Sequence, residues 1–481
     1  MKFVRLITAA SLSFSLTACA LFTPQAIVPG SSSPQLDAVQ WFAPLPHNGS
    51  LTDLSQWWAQ HGDPLLVNLI ESAQAVSPSI ASAKTRIEQA RATRVIAGAA
   101  LLPRLDASAS GTRSSAQPPV IPTNTSLQAG LQASWELDMF GANRASRNSA
   151  QVRYEGAQAL WHDARVSVAA DIANLYYSLR TCEKVLAISR ADAASRAETS
   201  RLTALTAEAG FTAPATAALA RASAAEASSR VTWQRAQCDL DVKALVALTA
   251  IDEPTLRQKL IDAPASLSPD VGISIASVPA HILAQRPDVF NAEHEQVAAS
   301  LDVGAAEALR YPRLTLSGSV GVSRFSSGGV TTDLSTWSVG PLALTVPLFD
   351  GGRSAANLEA VRVRYEEAST QYRSTVRNAV REVEEALVNL YSTGARNTDA
   401  ATALAGYQAS FNGTKRRYQE GLASLIELED ARRTWLAAEI ALISLQQERM
   451  AAWVSLYRAA GGGWGPERVA PVASALSAAP L

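Results

Sequence analysis

Two halves of this 481-residue chain repeat each other at a spacing of 209. Pro78 pairs with Pro287, Pro103-Arg104-Leu105 with Pro312-Arg313-Leu314, Phe140 with Phe349 and Arg144 with Arg353. Nearer the C-terminal end the spacing drifts to 211, where Gly210 matches Gly421. An internal repeat means one folding unit used twice, and it outweighs the prior of about three domains that length alone would suggest. Residues 61–250 and 280–460 are the expected repeats. Residues 251–279, with Pro254, Pro264, Pro269 and Pro279, read as the connector. Residues 461–481 form a tail.

Each half reads as helix, two strands, then two long helices. In the first, residues 64–99 are rich in Ala and helical in character. Strands are expected at about 104–113 and 126–138. In the latter, Leu127, Ala129, Leu131, Ala133, Trp135 and Leu137 alternate with Gln128, Gln132, Ser134 and Glu136. A period of two with one polar face marks a half-buried strand. The second half offers strands at about 313–325 and 335–348. Leu314, Leu316, Val320 and Val322 alternate with Thr315, Ser317, Ser319 and Ser323. In the fourth run, Trp337 and Val339 fall out of phase with Leu342, Leu344 and Val346, and Gly340-Pro341 at the slip suggests a bulge. Trp135, Phe140, Trp337 and Phe349 are expected near strand ends, as in an aromatic girdle.

The N-terminus carries an address. Lys2 and Arg5 precede the apolar run Leu6 to Leu16, which is too short to span a bilayer, and the run ends in Leu16-Thr17-Ala18-Cys19. This resembles the bacterial lipobox. Residues 1–18 are thus an expected signal peptide, Cys19 the expected lipidated residue, and 19–60 an N-terminal segment of the mature chain. The alternative is an ordinary secretory signal with an incidental cysteine. Ala20, rather than Asp, favours delivery to the outer membrane. After Cys19 no apolar stretch approaches the ~20 residues of a membrane helix, so any membrane crossing must use strands of a closed barrel. Strands of ~10 residues suffice when tilted. Four cannot close a barrel, because the smallest membrane barrels have about eight, and open edges are not tolerated in lipid. Several chains must therefore share one barrel: two would give eight strands, three would give twelve. A soluble hairpin packed on the helices is the alternative.

No proline lies between Pro122 and Pro214 or between Pro347 and Pro466. Long helices are expected at about 142–209, 213–250, 352–420 and 424–460, the longest about 100 Å at 1.5 Å per residue. Gly210 breaks the first pair, with Thr212 as the candidate N-cap and Pro214 near the next start. Ser424 and Glu427 form a capping-box pattern after Gly421. Leu428, Ala431, Trp435, Ala438, Leu442, Leu445, Ala452 and Leu456 then make a coiled-coil seam interrupted at Arg449. Helices this long are not stable alone and must pack side by side. Cys182 and Cys238 stand equidistant from Gly210, so an antiparallel hairpin brings them level. A disulfide is expected in an oxidising compartment, with two buried thiols as the alternative.

The net charge of −1, from 42 basic and 43 acidic residues, gives no footprint for nucleic acid. Charged residues are 18% of the chain, against roughly 25% in a typical soluble domain. The five histidines form no HExxH, and no G-x-S-x-G or phosphate loop is present. Glu293-His294-Glu295 holds metal-ligand types, but adjacent residues on a helix point apart. No enzyme, metal site or cofactor is expected beyond the covalent lipid.

Several stretches together resemble the outer-membrane factor (TolC-like) family in its NodT-type lipoprotein branch. They are Trp57-Trp58 with Asp63-Pro64-Leu65, Gln285-Arg286-Pro287-Asp288-Val289, Ala292-Glu293-His294, Tyr311-Pro312-Arg313-Leu314, Trp337 to Pro341, Pro347 to Arg353 and Gly461-Gly462-Gly463-Trp464. The likeness covers about residues 41 to 464. Arg310-Tyr311 departs from the pair of Phe usual there. The resemblance implies a homotrimer with a shared twelve-stranded outer-membrane barrel and a twelve-helix periplasmic tunnel. It implies docking to a periplasmic adaptor and an inner-membrane RND pump that drives small molecules out. A duct for type I protein secretion and a structural coiled-coil lipoprotein are the rival readings. It also implies a periplasmic gate at Ile426, Asp430 and Arg433, residues that share one helix face roughly opposite the apolar seam. A ring of three Asp would favour cations, and a solvated i,i+3 pair is the plain alternative.

Overall fold

The computed structural model describes residues 57–60, 62–115, 123–263, 282–283 and 285–465. Cys19 and the expected signal peptide lie outside them. In chain order the elements are α1 (Trp57–Gln60), α2 (Pro64–Val76), α3 (Pro78–Ala99), β1 (Arg104–Ser114), β2 (Asn124–Leu137), α4 (Ala142–Glu208) and α5 (Pro214–Thr249). There follow α6 (Glu253–Asp262), α7 (Pro287–Ala308), β3 (Arg313–Ser327), β4 (Val330–Thr345), α8 (Arg353–Gln419), α9 (Leu425–Ala459) and a 3-10 turn (Gly461–Gly463). The order helix, two strands, two long helices occurs twice, with α4 and α8 each 67 residues long. Among the described residues no helix is long and apolar enough to cross a membrane.

The chain divides into two compact units, and each draws on both repeats. One comprises Lys84–Ala159 and Phe290–Ser374, with all four strands; the other comprises the helical stretches ending at Ala83, Leu160–Val289 and the chain from Thr375 onward.

In the strand-bearing unit the sheet order is β1-β2-β3-β4, antiparallel throughout, with β1 and β4 as its edges. The register sorts the side chains cleanly. Ala107, Leu131, Val320 and Trp337 share one cross-strand row, and Ser108, Gly130, Gly321 and Thr336 share the next on the opposite face. Leu316 pairs with Leu342 but Gly318 with Val339, so Gly340 and Pro341 oppose Ser317 alone. This bulge brings Val339 and Leu342 back onto one face despite their odd spacing. Trp337 corrects an expectation: β4 starts at Val330, so Trp337 lies mid-strand rather than at an end. Tyr311, the departure from the family pattern, stacks on Phe140 at 4.9 Å and 16°.

The helical unit is built on a core that includes Trp57, Leu66, Leu69, Ile172, Tyr176, Leu245, Leu387 and Leu456. Trp57 is fully buried and stacks on Tyr457 at 5.0 Å. Asp63 caps α2, accepting from the Leu65 and Leu66 amides, and takes the Tyr176 hydroxyl at 2.6 Å. These contacts explain the Trp-Trp and Asp-Pro-Leu motif as a packed anchor. The helix expected over 64–99 breaks at Ser77 (ψ 124°), because Pro78 disfavours helical backbone in the residue before it. The connector contains α6, capped by Asp252, with Pro254 in its first turn where a missing N–H costs nothing. Thr212 is not the N-cap of α5. Ala213 holds that position without a side-chain cap, and the Thr212 hydroxyl donates to Thr206 instead. Ser424 and Glu427 do form a reciprocal capping box on α9. Arg449 interrupts the seam because it lies over Gly394, where a Cβ would meet its guanidinium at 2.9 Å.

Cys182 and Cys238 are joined, their Cα atoms 5.5 Å apart, between α4 and α5. Titration of the denatured, unreduced protein is expected to find neither thiol free, and two free thiols would refute the bridge. Across a separation of 56 residues, reduction is expected to cost about 4 kcal/mol of stability through loop entropy.

Candidate functional site: barrel wall and hairpin turn

Side-chain chemistry divides the sheet faces. One carries Leu105, Leu127, Leu131, Leu316, Val320, Val322, Trp337, Val339, Leu342 and Leu344; the other carries Ser, Thr, Gln and Gly along most of its length. The apolar face is exposed in the chain, with Trp337 78% and Val339 82% accessible. Exposure of so large an apolar area marks a surface that meets lipid or another chain. On this face the apolar band gives way to Arg324 and Asp333, a bidentate pair at 2.7 and 2.9 Å.

The polar face carries little side-chain bulk at its centre. Gly130 and Gly321 are cross-strand partners there. A Cβ on Gly130 would lie 2.9 Å from the Val320 carbonyl oxygen, and one on Gly321 would lie 2.9 Å from that of Ala129. Backbones approach that closely only where side chains are missing, and glycine marks tight bends in barrel walls. The polar face is therefore the one toward which a wall built from these strands would curve.

At the turn of the second helical hairpin, Ile426, Asp430 and Arg433 lie on the exposed face of α9, and Ile426 is 61% accessible. Arg433 Nη2 donates to Asp430 Oδ1 at 2.6 Å, with both side chains more than half exposed. The opposite face buries Leu425, Leu428 and Leu436.

Sequence reasoning passed over what fixes this segment. Glu429 and Arg432, on the buried face, are 8% and 3% accessible and pair at 2.7 Å. Glu429 also receives Arg196 Nη1 at 2.7 Å and the Ser223 hydroxyl at 2.9 Å. Arg196 holds Asp192 through both carboxylate oxygens, at 3.0 and 2.9 Å. Arg432 donates to Ser195 at 3.2 Å and lies over the Phe411 ring, 5.7 Å from its centroid. Two cations and two carboxylates thus form a neutral buried cluster that ties α9 to α4 and α5. The signal present in sequence was faint: Asp192 and Arg196 at i,i+4, and Glu429 and Arg432 at i,i+3, look like solvated surface pairs.

A second cluster secures the Gln285-Arg286-Pro287-Asp288 motif. Arg286 pairs with Asp288 at 2.7 Å and Glu382 at 2.8 Å, and donates to the Ala459 carbonyl at 3.0 Å, capping the end of α9. Gly461 must remain glycine, since its φ is +79° and a Cβ would strike the Gln285 carbonyl. Burial pushes the Asp163 carboxyl above the usual range, and Asp288 adds to the shift. Glu293, His294 and Glu295 do not converge. Glu295 pairs with Arg153 at 3.3 Å, while His294 Nδ1 faces the Phe290 carbonyl. Among the described residues no group of His, Cys, Asp and Glu is arranged to hold a metal.

The family profile described as "Outer membrane efflux protein" matches residues 69–250 and 278–462, one stretch per repeat. The pyoverdine export outer membrane protein OpmQ of Pseudomonas aeruginosa is 31% identical over 488 residues, covering 97% of this chain and 98% of OpmQ. Nodulation protein T of Rhizobium leguminosarum bv. trifolii is 30% identical over 434 residues, covering 87% and 90%. The open-state MtrE outer membrane channel of Neisseria gonorrhoeae superposes with a TM-score of 0.77 at 26% identity, covering 92% of this chain and 97% of that one. With a sheet too small to close alone, an exposed apolar face and this match across both repeats, the chain belongs to the outer membrane efflux protein family and is an outer-membrane component of an efflux system.

Proposed function

We propose that three copies of this chain pool their four-stranded sheets into a twelve-stranded barrel and serve as the passive exit duct of a tripartite efflux system. The single observation that carries this reading is the sheet, with two unpaired edges, one apolar face and one polar face on which Gly130 and Gly321 oppose each other. Lipid tolerates no unpaired backbone edge, so the edges must pair between copies. A periplasmic adaptor and an inner-membrane RND pump supply the load and the energy; the duct needs no cofactor. Cys19 carries the lipid that tethers the N-terminus to the outer membrane.

In this reading Ile426, Asp430 and Arg433 line the periplasmic constriction, and three Asp430 carboxylates favour cations there. Their exposure on a helix face whose other side is fixed by the Glu429–Arg432 cluster supports the assignment. Planar-bilayer recording tests it. Asp430→Ala removes the carboxylate and frees Arg433, so single-channel conductance is expected to rise severalfold and cation preference to fall. Unchanged conductance and selectivity would refute the gate. The shared barrel has its own test: in mild detergent the purified protein is expected to run as a heat-modifiable oligomer, and a stable monomer would end the duct reading.

A further inference from the structure

The apolar face of the sheet changes along its length. From the end nearest the helices, bulky rows run from Leu137, Leu314 and Leu344 up to Leu131, Val320 and Trp337. The next row is small, with Ala109, Ala129 and Ser335 beside Val322. The row after it holds Gly111, Leu127, Arg324 and Asp333. A hollow of about 650 Å³ lies over these two rows, and the strand residues between them, Gln128 among them, complete its lining. Leu127 leans over Gly111, where a Cβ would meet its Cδ2 at 3.1 Å. Beyond the hollow the face turns polar, with Arg113, Thr125, Ser326 and Thr331 in one row. Arg324 donates from Nε and Nη2 to Asp333. Arg113 makes no ion pair among the described residues.

We infer that this hollow seats an acyl chain of a phosphorylated lipid whose head group Arg113 and Arg324 hold. The inference rests on the shared-barrel reading, in which the apolar face meets the bilayer. From Leu137 to Leu127 the strand rises ~33 Å at about 3.3 Å per residue. At the tilt of a barrel strand that is about 25 Å, the height of a lipid-facing apolar band. Arg324, level with Leu127, therefore sits where hydrocarbon ends. The strands meet the helices at the periplasmic end, so this rim faces the outer leaflet, and the occupant is an acylated, phosphorylated glycolipid. The rim carries two guanidiniums against one carboxylate, and a guanidinium matches phosphate geometry. Asp333 takes Nε and Nη2 of Arg324, which leaves Nη1 for a phosphate oxygen. Thr125 and Ser326 add hydroxyl donors in the row of Arg113. The short side chains of Ala109, Ala129 and Ser335 leave the room below. Within hydrocarbon, filling that room gains packing contacts alone, so the phosphate contacts carry the selectivity.

The test uses the full-length oligomer in mild detergent, with bis-phosphorylated lipid A as the probe and its dephosphorylated form as the control. Native mass spectrometry is expected to show the phosphorylated lipid bound roughly tenfold more tightly, as charge-assisted hydrogen bonds to phosphate provide. Arg113→Gln/Arg324→Gln is expected to abolish that preference. Arg113→Gln alone, which breaks no ion pair, is expected to reduce it and stands in should the double variant not assemble. Ala129→Leu fills the hollow, keeps both arginines and is expected to weaken binding of both lipids. Arg313→Gln, on the opposite face, leaves binding unchanged. Displacement of the lipid by inorganic phosphate would mark an ion site and overturn the lipid assignment. An intact heat-modifiable oligomer that does not distinguish the two lipids overturns the site alone. So do arginine variants that keep the full preference, or an Ala129→Leu protein that binds like the parent. A parent protein that forms no such oligomer overturns the shared barrel and the site with it.

Discussion

Glu429→Leu is expected to destabilise the helical unit by about 3–5 kcal/mol, the cost of leaving a buried charge without its partner. The parent cluster is neutral, with Arg196 and Arg432 against Asp192 and Glu429, and all four are at most 8% accessible. Removing Glu429 leaves two buried guanidiniums facing one carboxylate, and Asp192 already serves Arg196. Arg432 is then left with the Ser195 hydroxyl and the Phe411 ring, and its Nε has no hydrogen-bond partner even in the parent. Arg432→Leu is expected to cost less, because Glu429 keeps Arg196 and the Ser223 hydroxyl. The double variant Glu429→Leu/Arg432→Leu deletes a whole pair and leaves Arg196–Asp192 intact, so it is expected to be more stable than Glu429→Leu alone. Thermal unfolding followed by circular dichroism ranks the three. A Glu429→Leu protein that melts with the parent would show that the cluster is not buried in the folded molecule. The same residues bear on conduction. Asp430 and Arg433 occupy the exposed face of the helical turn that Glu429 and Arg432 anchor, so releasing the anchor is expected to raise the leak current while the Asp430 carboxylate remains in place.

This cluster also marks where reading the sequence stops. The strand phase was legible because a period of two is a local property: each apolar residue in Leu127 to Leu137 predicts the face of the next. The slip at Gly340-Pro341 was legible for the same reason, and Val339 and Leu342 do share a face across the bulge. The capping box at Ser424 and the hairpin turns at Gly210 and Gly421 depend on a few consecutive residues and could be read directly. Thr212 shows the limit even there, because any residue can precede a proline-led helix, and the cap position fell to Ala213. Burial of Arg196 and Arg432 depends on residues more than two hundred positions apart, such as Ser195 beside Arg432. Nothing in the spacing of Asp192 and Arg196 separates a solvated pair from a buried one. The Ile426, Asp430 and Arg433 face was reached through family likeness together with helical period; periodicity alone would have left it a charged surface.

Gly130→Val combined with Gly321→Val is expected to abolish the assembled barrel altogether. The two glycines oppose each other in the middle of β2 and β3, on the polar face. A Cβ at either position would meet a carbonyl oxygen at 2.9 Å and the partner Cα at 3.1 or 3.2 Å. These are backbone atoms in a hydrogen-bonded ladder, so no side chain can rotate away, and the strands must splay or flatten. A flattened sheet leaves its edges at the wrong angle to meet the next copy, and closure fixes strand tilt and curvature together. Valine has high strand propensity, so a failure here separates curvature from propensity as its cause. Ser319→Val serves as the control, since it places the same side chain on the same face of β3, two residues from Gly321. The expected result is a heat-modifiable oligomer for Ser319→Val and none for the glycine double variant, while the helical unit keeps its disulfide and its circular dichroism. If the double variant assembles and conducts like the parent, the close approach of the two strands is not what bends the wall, and the polar face loses its claim to be the lumen.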